Sequence, residues 1–221
     1  MKLVRESINF ERGGDPKDIM GIGDPIIRLV KKIIYPGFFS RKKRDLQFDI
    51  ENVINGVKVP AVSQLIKQVP WESLYSGKPG FIHGDLQFDN IIHTSQDGFV
   101  LLDWRQDFGG QVEYGDLYYD LAKLYGGIIL NYDYIKEGLI DYSENGSAVS
   151  FDFAQRFSSK EYLATLMQFI DEKGWDKQKV RILVPLIYLN MSPLHHYPFD
   201  KMLYALGRLL LAEELQKCKK I

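Results

Sequence analysis

The segment Phe81–Asp103, which reads FIHGDLQFDNIIHTSQDGFVLLD, constrains the fold of this 221-residue chain more than any other. Phe81–Ile82 predicts a short buried strand that ends at the triplet His83–Asp85. A second polar pair, Asp89–Asn90, stands directly before the apolar run Ile91–Ile92. The segment therefore predicts a strand, a polar loop and the start of a second strand.

A hairpin is predicted immediately after this loop. The four residues between Thr94 and Phe99 are Ser-Gln-Asp-Gly, and Gly98 in the last place suits a type I turn closed by a residue with positive φ. If Thr94 pairs with Phe99, antiparallel pairing places Asn90 directly opposite Asp103. The Cβ atoms of such a pair lie roughly 5 Å apart on one face of the sheet.

An amide oxygen beside a carboxylate forms a hard-oxygen site that suits Mg²⁺. Asp85 lies five residues before Asn90, so His83 begins the spacing H-x-D-x-x-x-x-N, and Asp103 follows on the next strand. This spacing is that of the catalytic loop and metal site in kinase-type phosphotransferases.

The loop sequence HGDLxxxN at residues 83–90 resembles the aminoglycoside phosphotransferase and choline kinase family more than it resembles the protein kinases. The resemblance implies that ATP is the phosphoryl donor and that a small molecule with a hydroxyl group is the acceptor. It makes Asp85 the base that accepts the proton of that hydroxyl, with His83 bracing the catalytic loop. Asn90 and Asp103 would then be the Mg²⁺ ligands.

The triplet Asp107–Gly109 reads Asp-Phe-Gly and looks like the metal motif of protein kinases. Asp107, however, lies four residues beyond the predicted hairpin partner of Asn90. We therefore give the metal-binding role to Asp103, and expect Asp107 to be a solvated loop carboxylate.

The segment GDLYYDLAKL, residues 115–124, predicts a helix and also resembles the family, in which an aspartate of this helix supports the catalytic loop. The resemblance selects Asp120 for that support, through hydrogen bonds to loop amides. Asp116 is the predicted helix cap. The alternative, that Asp120 is an exposed helix residue, stays open at this stage.

The remaining elements follow from turn signals, caps and apolar periodicity. A hairpin is predicted around Asn55-Gly56, and a second hairpin or an insertion around Asn145-Gly146. Helices are predicted at Asp24–Tyr35, from Pro60 onward, and at Ser159–Lys173, Asp176–Met191 and Pro198–Lys219. The basic run Arg41–Arg44 is expected on a solvated helix face. The predicted class is α+β, a mostly helical kinase-like C-terminal lobe with a central hairpin.

The predicted organisation is an N-terminal arm and helix at residues 1–53, of unassigned role, followed by the kinase-like lobe at 54–221. A nucleotide-clamping lobe needs a glycine-rich cover loop and a strand lysine paired to a helix glutamate. Neither is readable before His83. Three explanations stay open: a truncated or split chain, a second chain that completes the lobe, or a binding module without turnover.

A metal-dependent hydrolase is a further alternative, with His83, Asp85, Asn90 and Asp103 as its metal centre. It ranks last, because such centres usually contain more histidine ligands.

Composition excludes some partners. A net charge of −1 argues against nucleic-acid binding through a broad basic surface. The single cysteine, Cys218, cannot form an internal disulfide and fits a reducing cytoplasm. The longest apolar run, near Pro185, is interrupted and too short to cross a membrane.

The acceptor is predicted only as a class. Acidic and aromatic side chains follow the hairpin, and together they suit a cationic or hydroxyl-rich small molecule. They are Asp116, Tyr118, Tyr119, Tyr125, Tyr132, Asp133, Tyr134 and Tyr142. Most of these tyrosines are expected in the core instead. The loop Leu194–Tyr197 is a second candidate for the pocket wall, although buried and hydrogen-bonded histidines are the plainer expectation.

Overall fold

The computed structural model describes residues 49–95, 98–106, 108, 112 and 114–219. The predicted helix Asp24–Tyr35, the basic run Arg41–Arg44 and Asp107 lie outside the described residues.

The described chain has an α+β fold, as predicted. Its strands are β1 (Asn52–Ile54), β2 (Val57–Val59), β3 (Pro79–Gly80), β4 (Ile91–Thr94), β5 (Gly98–Leu101), β6 (Gly115–Asp116), β7 (Ile140–Asn145) and β8 (Ala148–Phe153). Its α-helices are α1 (Val62–Ile66), α2 (Trp71–Tyr75), α3 (Leu117–Ile129), α4 (Tyr132–Lys136), α5 (Ser159–Glu172), α6 (Lys177–Met191) and α7 (Phe199–Cys218).

Two predicted hairpins combine into one four-stranded sheet of order β2-β1-β8-β7. Asn55 and Gly56 have φ values of +47° and +81°, as a two-residue type I′ turn requires. The two hairpins join because β1 runs parallel to β8, and the Asn55 side chain exchanges two hydrogen bonds with the Phe151 backbone, at 3.0 and 2.9 Å. The predicted domain boundary after residue 53 falls within β1.

The core lies where α3, α6 and α7 pack together. Gly207 of α7 permits their close approach, since a Cβ there would lie 3.1 Å from the Pro185 carbonyl oxygen of α6. Arg208 is buried and connects α7 to the sheet, donating to Asn52 Oδ1 at 2.6 Å and to the carbonyl of Pro60 at 2.8 Å.

The long helices α3, α5, α6 and α7 confirm the predicted ones, although the Ser158 side chain makes no capping hydrogen bond to α5.

The strand that enters the loop differs from the prediction. It is Pro79–Gly80, paired with Gly115–Asp116, whereas Phe81 is 58% exposed and lies outside the ladder. Its ring packs beside Trp104, with the centroids 5.2 Å apart, which explains how an apolar side chain is accommodated outside the core.

The register of the β4–β5 hairpin is also a correction. Thr94 pairs with Gly98 and Ile91 with Leu101, so the predicted pairing of Thr94 with Phe99 is wrong by one residue. Gly98 has the expected positive φ, +84°, but it takes the first place in the ladder and leaves a three-residue connection. Asn90 therefore faces Leu102, whose N–H donates to its carbonyl at 2.8 Å, and does not lie directly opposite Asp103.

Among the described helices, none combines the length and the apolar character needed to cross a membrane.

Candidate active site

The polar loop is held from below by Asp120. Its carboxylate accepts from the backbone N–H of His83 at 2.6 Å and from that of Gly84 at 2.8 Å. Asp120 is buried because α3 begins at Leu117 and directs this residue, one turn later, beneath the loop. Gly84 has φ of +80°, and a Cβ there would lie 2.7 Å from the Arg105 Cβ. The loop therefore needs glycine at this position.

His83 fixes the loop from the side. Its Nε2 lies 2.6 Å from the Leu102 carbonyl, which can only accept, so Nε2 carries the proton. Its Nδ1 accepts from the N–H of Asp85 at 3.2 Å, and its ring packs 4.7 Å from that of Trp104. Both ring nitrogens are engaged, so the imidazole connects the loop to the end of the hairpin.

Asp85 stands above these supports with its side chain 23% exposed. Its Oδ1 lies 2.6 Å from Lys123 Nζ. Asn90 Nδ2 donates to the Asp85 carbonyl at 2.9 Å and approaches its Oδ2 at 3.3 Å. One carboxylate oxygen is thus tightly paired, and the other has only a long contact.

Asn90 lies in a 3-10 turn, Phe88–Asn90, directly before β4. Because its Nδ2 donates to Asp85, its Oδ1 is left as an acceptor, with no partner in the part of the chain that the structure describes. The exposed carboxylate of Asp103 likewise has no hydrogen-bond or ion-pair partner among the described residues. Uncommitted amide and carboxylate oxygens are the ligand types that suit Mg²⁺.

Asp103 has φ of +54°, a left-handed conformation that is uncommon outside glycine. In an extended strand residue φ is about −140°. The φ of Asp103 therefore differs by about half a turn about the N–Cα bond, which points its side chain in a different direction from that of a strand residue. The alternation of side chains along a strand therefore does not set the direction of the Asp103 side chain. For this reason, the one-residue error in the predicted register does not by itself exclude Asp103 as a Mg²⁺ ligand.

No group of three or more histidine, cysteine, aspartate or glutamate side chains that could hold a metal ion occurs within the described ranges. The donor set around the loop is therefore unlike that of a histidine-rich metallohydrolase centre.

Two buried carboxylates lie one helical turn apart beneath the site. Asp116 caps α3 as predicted, accepting from the N–H groups of Tyr118 and Lys78, both at 3.0 Å. Burial raises the pKa of Asp116 and of Asp120 to about 6, although the backbone donors of each act in the opposite direction.

Lys123 was missed by the sequence reasoning. It is 7% exposed and lies three residues after Asp120, on the same face of α3. That spacing was the available signal, but a lysine is rarely buried, so composition alone gave no reason to select it.

The acidic and aromatic residues that were predicted as a pocket wall do not all lie at the surface. Asp116, Tyr118 and Tyr119 are buried, in line with the plainer expectation for these tyrosines. Tyr132 lies closer to the loop: burial, and then the negative charges of Asp85 and Asp89, raise its pKa.

The second candidate wall, Leu194–Tyr197, is mixed in exposure. His195 is partly buried against the Phe199 ring at 4.7 Å, and burial lowers the pKa of its imidazole, although Asp200 acts in the opposite direction. Leu194, His196 and Tyr197 are exposed, so the expectation of buried histidines is wrong for His196.

Comparison with known proteins gives one family match. The model of the phosphotransferase enzyme family matches residues 39–149, half of the chain. This range contains the loop, the β4–β5 hairpin, Asp103 and all of α3. None of the curated proteins and none of the solved structures gives a match.

Proposed function

The chain belongs to the phosphotransferase enzyme family, and from that premise we propose that it transfers the γ-phosphoryl group of ATP to a hydroxyl group of a small molecule. The acceptor class is a sugar, an amino-alcohol or an aminoglycoside-like compound. The observation that carries the proposal is the unequal environment of the two carboxylate oxygens of Asp85.

Oδ1 of Asp85 is paired to Lys123, whereas Oδ2 has only the 3.3 Å contact with Asn90. A general base needs an oxygen that a substrate hydroxyl can reach, on a carboxylate that the protein holds in place. Oδ2 meets the first condition, and the hydrogen bonds of His83, Gly84 and Asn90 meet the second.

In the proposed reaction the acceptor hydroxyl gives its proton to Asp85 Oδ2. Its oxygen forms a bond to the γ-phosphorus as the bond from that phosphorus to the β–γ bridging oxygen breaks, and ADP leaves. Asp85 then releases the proton to solvent. His83 and Asp120 contribute by keeping the loop in place, which is the main protein contribution in phosphoryl transfer.

Asn90 and Asp103 are the residues that would hold Mg²⁺. When bound, the ion neutralises charge on the phosphate oxygens. The support is chemical: each residue has an uncommitted oxygen, and Asp103 has the strained backbone that is often found at functional sites.

A second candidate function is nucleotide binding without transfer, or transfer only when another chain completes the site. A specific observation favours keeping it: neither a glycine-rich cover loop nor a paired strand lysine is readable before His83. Without these groups the β- and γ-phosphates are poorly positioned, so the chain alone is expected to bind Mg²⁺–ATP weakly and to transfer slowly.

Two measurements on the full chain separate these candidates. Calorimetric titration with ATP, with and without Mg²⁺, reports binding, and ADP release over choline, ethanolamine, aminoglycosides and simple sugars reports transfer. ADP release that needs both Mg²⁺ and one acceptor supports the transferase. Mg²⁺-dependent ATP binding without transfer supports the second candidate, and no ATP binding at any Mg²⁺ concentration contradicts both.

A further inference from the structure

Lys123 places an ammonium group inside the protein next to the proposed base. Its Nζ lies 2.6 Å from Asp85 Oδ1 and 3.9 Å from Met191 Sδ. Within the described residues these are its polar partners, so Asp85 supplies the only opposite charge in direct contact. The surroundings are otherwise largely apolar, because Tyr132, Ile187 and Tyr188 line the small space beside it.

Stability does not account for this arrangement. Removing an ammonium group from water is costly, and a buried ion pair often contributes no more than a well-packed apolar residue of the same size. Methionine has nearly the length of lysine and would fill the same space. The ion pair therefore points to a role other than packing.

A second buried lysine shows what a structural role looks like in this protein. Lys179 of α6 is 9% exposed, and its hydrogen bonds are made to Ser76, outside the loop. Its ammonium donates to the carbonyl and hydroxyl oxygens of Ser76, at 2.6 and 2.7 Å, and lies 5.1 Å from the centre of the Tyr118 ring. Lys179 thus joins α6 to the end of α2 through neutral hydrogen-bond acceptors, and its charge acts on the buried Asp116 without a direct contact. Lys123 instead contacts a partly exposed carboxylate directly.

We propose that Lys123 is a positioning residue of the transfer reaction: it holds Asp85 Oδ1 so that Oδ2 faces the acceptor hydroxyl. This inference rests on the proposed function. A carboxylate without such a partner can rotate and exchange its two oxygens, since its terminal torsion is broad. The ion pair on Oδ1 and the Asn90 amide beside Oδ2 together select one orientation.

The test compares Lys123→Met with Lys179→Met, and adds Lys123→Arg, which keeps the charge. For each variant we would measure the free energy of unfolding, and the kcat and KM of transfer well below the melting temperature. Lys123→Met is expected to lower kcat at least tenfold and to change KM for ATP less than twofold, with some loss of stability because Asp85 is left without its cation. Lys179→Met is expected to lose stability with unchanged kcat.

Lys123→Arg is expected to recover part of the lost kcat. A Lys123→Met variant with wild-type kcat would overturn the inference.

Crystal structures of the wild type and Lys123→Met supply a readout that does not depend on activity. The Asp85 carboxylate is expected to change rotamer or become disordered, while the His83 and Gly84 hydrogen bonds to Asp120 remain. An unchanged Asp85 carboxylate would refute the positioning role. A wild-type chain that transfers to no acceptor would instead refute the proposed function, and the carboxylate orientation would still decide the role of Lys123.

Discussion

The loop at residues 83–90 and the β4–β5 hairpin meet at the candidate site but are built differently. The loop is fixed by buried groups, since His83 and Asp120 are almost wholly inaccessible and α3 carries Asp120 in the core. The hairpin is a separate two-stranded sheet whose apolar side chains, such as Phe99 at 58% exposure, remain largely exposed among the described residues. The proposed base is thus held by buried groups. The proposed metal ligand Asp103 follows an exposed hairpin and is connected to the loop through its neighbours, since the Leu102 carbonyl and the Arg105 N–H both bond to His83.

Replacing Asp103 with alanine should give the largest effect on the hairpin side. Mg²⁺-dependent ATP binding should be lost, because the carboxylate oxygens disappear, while alanine at positive φ costs only about 1 kcal/mol of stability. Calorimetric titration with and without Mg²⁺ checks the binding. Asp89→Asn removes a nearby exposed carboxylate and serves as the control. Unchanged Mg²⁺ dependence in Asp103→Ala would remove Asp103 from the metal site.

Replacing Asp120 with alanine tests the loop side. The N–H groups of His83 and Gly84 would lose their partner in a buried place, and each unsatisfied donor costs about 1–3 kcal/mol. Part of this loss is offset because a desolvated carboxylate is removed. We expect a net loss of about 3 kcal/mol in urea unfolding, against about 0.5 kcal/mol for the exposed control Asp171→Ala. A loss no larger than that of the control would show that Asp120 does not brace the loop.

The raised pKa of Asp120 predicts a pH effect of defined sign. Because its folded pKa is about 6 and its ordinary value is 3.8, the folded state binds more protons than the unfolded state between these values. The stability contributed by this group is therefore present below pH 4 and lost as pH rises through 6.

Asp120→Asn removes this titration but leaves Asp116 in place. Between pH 4 and pH 7.5 the wild type should lose up to about 3 kcal/mol of unfolding free energy relative to Asp120→Asn. Parallel pH profiles of the two proteins would contradict the shift.

The smallest expected effect is at Gly98. Gly98→Ala places a side chain at φ of +84°, which costs about 1–2 kcal/mol, and Gly138→Ala at +76° is a control remote from the site. Both variants should lose similar stability. Hydrogen exchange should accelerate at the Leu102 amide only in Gly98→Ala, and the His83 and Gly84 amides should keep their protection. Faster exchange at His83 would show that the hairpin and the loop are one cooperative unit.

Sequence reasoning succeeded where the signal is local. The caps of α3 and α6, the extent of α7 and the Asn-Gly turn of β1–β2 depend on neighbouring residues, and these predictions are confirmed. The hydrogen bonds that the family resemblance implied for Asp120 are also present.

The failures concern contacts that no local pattern determines. Ser-Gln-Asp-Gly accommodates a three- or a four-residue connection with Gly98 at positive φ, and only the assembled ladder selects the first. The parallel pairing of β1 with β8 joins residues about a hundred positions apart. Lys123 is buried by residues distant in sequence, among them Asp85 of the loop and Met191 of α6.

Transfer by Asp85→Asn, compared with the wild type and Asp89→Asn, tests the assignment of the base most directly. Asparagine keeps the shape of the side chain but cannot accept the hydroxyl proton. With ATP, Mg²⁺ and the acceptor found by screening, Asp85→Asn should form ADP at least a few hundredfold more slowly. Asp89→Asn should match the wild type in rate and in urea unfolding. Asp85→Asn should also lose some stability, because Lys123 keeps no carboxylate partner, so the rates are compared at temperatures where all three proteins are folded. An Asp85→Asn chain that transfers at the wild-type rate would contradict the role of Asp85 as the base.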